Sequence, residues 1–145
     1  MSDRIKTAAD LFDQGFSCSQ AVFAAFCGPY GLDETMALKL SCGLGGGVKH
    51  GGICGAVSGA VLIIGLKYGH TDGADKEGKA LCGAKTVELL NAFRQRNNHL
   101  TCRDILGCDV STEAGRQQAL EQNLFKTVCV DMVTSAAEIL EASGY

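Results

Sequence analysis

The sequence of 145 residues has no tryptophan, a single proline and no Cys-x-x-Cys pair. Without proline breaks, long helices are permitted. Without Cys-x-x-Cys there is no local redox motif and no zinc knuckle, so any cysteine site has to be assembled from distant segments. Lys and Arg number 13 against 16 Asp and Glu, and no basic stripe stands out. Nucleic acid and anionic membrane are therefore not expected partners. The longest apolar run, Ile53 to Leu66, has fourteen residues, short of the roughly 20 that span a bilayer, and reads as a core helix. The opening MSDRIKTAADLFDQG is amphipathic and carries Asp3, Asp10 and Asp13, which is not a signal-peptide pattern. A cytoplasmic protein is the default expectation. GLGGG, residues 43–47, has neither a following GK[ST] nor a preceding strand, so it is not a nucleotide-binding loop. No Ser/His/Asp arrangement stands out.

Alternating β-branched runs are almost absent, and Ala, Leu, Glu, Gln and Lys fill stretches of helical length. The expectation is an all-α single domain over residues 1–145, a bundle of about five to seven helices. Helical spacing predicts helices over 4–14, 18–27, 34 to about 42 and 126–142, with Ser17 and Asp33 as N-caps. A polar helix from Ser111 to about Asn123 runs into the last one or bends before it. The pattern from about Ala74 to Arg96 is one long helix, or two loosened by Gly78 and Gly83. Thr101 precedes a short helix, CRDILG, with Asp104 placed to complete a capping box.

The chain is organised around Cys42–Gly69, which holds ten of its nineteen glycines. Gly45, Gly46, Gly47, Gly51 and Gly52 predict a loop of positive φ or close backbone approach. From Cys54 onward the segment reads as a central, glycine-rich apolar helix. Gly55 and Gly59, four apart, leave one face almost bare, against which a backbone or compact ligand can lie. Gly65 calls for a packing reason, and Gly69 is placed as the C-terminal cap.

Eight cysteines are the unusual count. The thiolate is the nucleophile and the metal ligand, and a helix N-terminus favours it. Cys54 meets that condition best, Cys102 next with Arg103 beside it, and Cys18 third. Cys129 lies mid-helix on the apolar face of Val133 and Ala136, where a thiol stays neutral unless it faces other sulfurs. Cys27, Cys42, Cys82 and Cys108 read as small core residues. His50 is a loop histidine four residues before Cys54; His70 and His99 are surface loop residues.

These residues resemble the C_GCAxxG_C_C family of redox-active proteins, small helical proteins of about this length. CGAVSGA, Cys54–Ala60, fits the family's CGAxxG motif. The flanking GLGGGVKHGG and GLKYG also fit. CSQAV at Cys18, CRDILG at Cys102 and the segment from Cys129 through VTSAAEILE are similar to its other cysteine segments, in the right order. The resemblance implies that Cys18, Cys54, Cys102 and Cys129 form the site. Cys42 and Cys108 are near enough in sequence for a larger sulfur cluster.

The first expectation is a thiol/disulfide redox protein. Cys54 is its attacking thiolate, and Cys18, Cys102 or Cys129 resolves it as a disulfide. A redox partner protein or a small-molecule substrate supplies and takes the electrons. The second is a Zn or Fe–S site on the same four thiolates, and the third a helical interaction module with incidental cysteines. Sequence does not choose the disulfide pairing, decide whether the protein is an enzyme, or decide whether it is a homo-oligomer.

Overall fold

The computed structural model describes residues 2–145. Among them are eight α-helices and no strand: α1 (Asp3–Asp13), α2 (Cys18–Phe26), α3 (Glu34–Ser41), α4 (Gly55–Tyr68), α5 (Lys76–Asn97), α6 (Cys102–Leu106), α7 (Glu113–Glu121) and α8 (Val128–Ala142). The count exceeds the expected five to seven because α7 and α8 are separate. Asn123 adopts a left-handed conformation (φ 58°) and breaks the helical run between them. The 74–96 pattern, by contrast, forms one helix. Its two internal glycines add local cost but leave the backbone hydrogen-bond ladder intact.

Local chemistry starts the helices. Ser17 caps α2 in a reciprocal box with Gln20, and Asp33 caps α3 through the Met36 amide. Thr101 Oγ1 accepts from the Asp104 amide at 3.1 Å. The polar helix starts at Glu113, with Thr112 rather than Ser111 supplying the cap. Each such cap satisfies one of the amides a helix start leaves unpaired, a contribution of about 1 kcal/mol.

Helix α2 packs against α1, α3, α4 and α8, and α4 packs against α2, α5 and α8. Phe26, Val22, Val57, Ile63, Ile64, Phe93, Val133 and Leu140 fill the core between them, each fully buried. On α4 the buried face is Gly55, Ala56, Val57, Gly59, Ala60, Ile63 and Ile64. Its other side is half-buried at Val61 and Leu62 and exposed at Gly65 and Leu66. Gly65 has nothing near its missing side chain, so the packing reason expected there is absent. Gly69 does cap α4, through its N–H to the Gly65 carbonyl at 2.8 Å, but with φ −59° rather than a left-handed turn.

A smaller second core lies beside the first. Cys102, Leu106, Cys108 and Ala119 form it, with Ile105, Val110, Leu124, Phe125, Val128 and Cys129 packed around them. The α1–α8 side is held by Arg4, which pairs with Glu141 at 2.9 Å, donates to the Tyr145 carbonyl at 2.7 Å and lies over the Phe26 ring. No helix among the described residues is long and apolar enough to cross a membrane.

Candidate functional site

The site forms where α2 crosses the start of α4. The bare face of α4 is filled by backbone. A Cβ on Gly59 would lie 2.7 Å from the Ser19 carbonyl oxygen and 3.2 Å from Ser19 Cα. At Gly55 a Cβ would occupy the place of the Cys18 sulfur. Glycine at both positions lets the two helices approach until the Cys18 and Cys54 thiols meet.

Polar contacts hold the start of α2 in this position. Ser19 is fully buried and donates through Oγ to the Ser41 carbonyl at 2.8 Å. Gln20 Nε2 donates to the Leu38 carbonyl at 2.9 Å. Cys18 is therefore tied to the end of α3, and Gly45 is pressed against Ser17. The glycine loop closes over the same point. Gly46, Gly47, Val48 and Lys49 all have positive φ, a short left-handed turn.

Cys102 is delivered by backbone pairing. The Cys54 N–H donates to the Leu100 carbonyl at 2.8 Å, and the Cys102 N–H donates to the Gly52 carbonyl at 2.7 Å. Ile53 and Thr101 form an isolated antiparallel bridge between these bonds. The starts of α4 and α6 are thereby set side by side. Cys129 arrives from the first turn of α8, half-buried against the second core.

The electrostatics divide the four thiols. Cys54 donates a hydrogen bond to the Cys18 sulfur, and this lowers Cys18 most. Burial opposes it; the amides of Gly46, Ser19 and Cys18 itself add to it, and Cys18 comes down from 9.0 to about 7. Cys54 is pushed well above the ordinary thiol range because it gives that hydrogen bond to Cys18, is buried, and faces the Cys18 charge. Cys18 is also the more exposed of the two. Negative charge thus rests on Cys18 with Cys54 as its proton donor, whereas helix position alone pointed to Cys54. Both cysteines do stand at helix starts. Cys18 gains the extra amide from the glycine loop, which no local reading of α2 contains.

Cys102 is pushed up to about 11, first by burial and then by the charges of Cys18, Cys108 and Asp109. Its place at a helix start does not offset this, because α6 has only five residues. Arg103 does not help it either: the guanidinium pairs with Asp109 at 3.2 Å and donates to the His50 carbonyl at 3.3 Å. Cys129 rises to about 12, through burial and then the charges of Cys18, Cys102 and Cys108.

Cys18, Cys102 and Cys129 are therefore within electrostatic reach of one another, Cys54 lies against Cys18, and Cys108 joins as a fifth sulfur. Sequence reading placed Cys108 among the core residues. Its signal was its spacing, six residues after Cys102 in CRDILGCD. Cys27 is a buried core thiol that donates to the Leu32 carbonyl at 3.3 Å. Cys42 is exposed and Cys82 half-buried in the main core. His50 is solvent-exposed. All eight cysteines are free thiols. Among the described residues, no three or more His, Cys, Asp or Glu side chains are arranged to hold a metal ion.

No curated protein and no solved structure matches this chain. The family described as "Putative redox-active protein (C_GCAxxG_C_C)" matches residues 16–143. That span contains α2 to α8, with every thiol of the site, and the chain belongs to this family.

Proposed function

We infer that the protein carries out thiol–disulfide exchange, with Cys18 as the attacking thiolate and Cys54 as the resolving thiol. The observation that carries this reading is the hydrogen bond between the two thiols, which leaves Cys18 charged near neutral pH. An attacking thiol is most effective when its pKa is close to the ambient pH, because thiolate fraction and nucleophilicity are then both substantial.

The Cys18 thiolate attacks a substrate disulfide R–S–S–R′. A Cys18–S–S–R bond forms, the substrate S–S bond breaks, and R′S⁻ leaves. Proton loss from Cys54 to that leaving thiolate gives R′SH and a second thiolate beside the mixed disulfide. Cys54 then attacks Cys18 Sγ and expels RS⁻, which is protonated from solvent. Two electrons and two protons pass to the substrate, and a Cys18–Cys54 disulfide remains. An external thiol or dithiol reductant returns the pair to its reduced form, and the cycle runs backwards with an oxidising partner. Such a site, half-exposed at Cys18 and buried at Cys54, admits a partner's disulfide at the first sulfur and shields the second from solvent.

The test is alkylation of the reduced protein by iodoacetamide across pH, with each cysteine followed by mass spectrometry. Cys18 is expected to react first, with a midpoint at about 7. Full oxidation with excess hydroxyethyl disulfide is expected to yield a Cys18–Cys54 link. A Cys18 midpoint near 9, or oxidised protein without that link, overturns the reading. A Zn or Fe–S site on Cys18, Cys54, Cys102 and Cys129 is the alternative, and it requires these thiols to draw together, because no three of them are arranged to hold a metal ion. Stoichiometric zinc or iron in protein purified without chelators, with a thiolate-to-metal absorption band for iron, selects that alternative. If Cys54→Ser and Cys102→Ser change stability alone, the protein is an interaction module.

A further inference from the structure

The exchange mechanism uses two thiols and leaves three buried or half-buried ones beside them without a task. Cys102 and Cys108 are 9% and 8% exposed, in one small core that also packs against Cys129. Cys102 opens α6 and Cys108 follows its C-terminal cap, and the chain reverses between them at Gly107, which is left-handed (φ 70°). The residue after each is also joined. Arg103, following Cys102, and Asp109, following Cys108, form an ion pair at 3.2 Å. A Cβ on Gly51 would lie 3.2 Å from Asp109 Oδ1 and 3.3 Å from Arg103 Nε, so the glycine loop packs onto the same pair. The clasp folds the Cys108 segment back along α6 toward Cys102. On its other side, Cys102 is hydrogen-bonded through its amide to Gly52, two residues before Cys54.

We propose that Cys102 and Cys108 form a second dithiol couple, which takes over the disulfide formed between Cys18 and Cys54. The proposal rests on the exchange reading above. Its steps balance within the chain. Cys102, after losing its proton to solvent, attacks Cys54 Sγ. The Cys54–Cys102 bond forms, the Cys18–Cys54 bond breaks, and Cys18 leaves as its thiolate. Cys108, after losing its proton to solvent, attacks Cys102 Sγ, forming Cys102–Cys108 and releasing the Cys54 thiolate, which takes up a proton. Cys18 and Cys54 are again a thiolate and a thiol, and the two electrons they passed to substrate have been replaced from Cys102 and Cys108. The attack on Cys54 is favoured because the better leaving group in an exchange is the sulfur of lower pKa. An external thiol reductant then reduces the second couple. In this arrangement the reduced protein stores two reducing pairs rather than one.

The fully reduced, full-length protein is titrated with hydroxyethyl disulfide, and the mercaptoethanol released is counted. The wild type is expected to reduce about two disulfides per chain and Cys108→Ala about one. In the oxidised wild type, a tryptic map is expected to join residues 97–103 to residues 104–116. That map needs no substitution, so a folding defect in the variant does not obscure it. Cys108 recovered unlinked beside an intact Cys18–Cys54 link overturns the second couple and leaves the exchange reading standing. A link of Cys129 to either Cys102 or Cys108 also overturns it. Oxidised protein without any Cys18–Cys54 link overturns both.

Discussion

At the residue scale, the proposed exchange turns on one proton. It lies between two sulfurs of unequal surroundings: Cys18 faces three amide N–H groups and is half-exposed, and Cys54 is buried. The amides stabilise charge on Cys18, and burial penalises it on Cys54. The Cys54 thiol is the largest single cause of the Cys18 shift. Cys54→Ala is therefore expected to move the Cys18 alkylation midpoint up from about 7 toward 9. Cys54→Ser keeps a donor and is expected to move it less. An unchanged midpoint in Cys54→Ala would assign the activation of Cys18 to the amides alone.

At the element scale, two backbone features position the site. The first is the close crossing of α2 and α4. Gly59→Ala drives a methyl group into the Ser19 backbone, and overpacking of this kind costs about 1–3 kcal/mol. A loss of that size in urea denaturation is expected, with the Cys18 midpoint rising as the helices separate. The second is the left-handed turn of the glycine loop. Val48 has φ 58° and ψ 40°, a conformation that is strained for a β-branched residue. Its side chain is 58% exposed, so little packing offsets the strain. Val48→Gly is expected to raise stability by about 1 kcal/mol, read from the urea midpoint. If the valine instead stiffens the loop that carries the Gly46 amide, the same variant is expected to lose alkylation rate at Cys18.

At the scale of the whole molecule, the thiols make stability depend on pH in two opposed windows. Cys18 titrates at about 7 folded and near 9.0 unfolded. Between those values the unfolded chain binds more protons, so stability rises with pH. Cys102 and Cys129 titrate at about 11 and about 12 when folded. Above 9 the folded chain binds more protons, so stability falls as pH rises through those values. Tyr145, pushed up to about 12 chiefly by burial, acts the same way from pH 10. Urea midpoints of the reduced protein are expected to rise from pH 7, peak near pH 9 and fall beyond it. A midpoint still climbing at pH 11 would contradict the burial of Cys102 and Cys129.

The sequence by itself determined what depends on near neighbours along the chain. Ser17, Asp33 and Thr101 cap helices because each needs only its own side chain and an amide three residues on. The all-α class follows from helical periodicity, and the placing of Cys18, Cys54 and Cys102 at helix starts from the glycines and caps around them. Tertiary structure decided what depends on segments far apart. Cys18 is the lowered thiol because Gly46 and Cys54 reach it across the fold, and Cys102 is raised because a second core buries it. Cys108 joins the sulfurs because the chain turns back at Gly107 and the Arg103–Asp109 pair holds it there. Hydrogen bonding and burial are set by whatever lies nearest in space, and spacing along a chain does not record that.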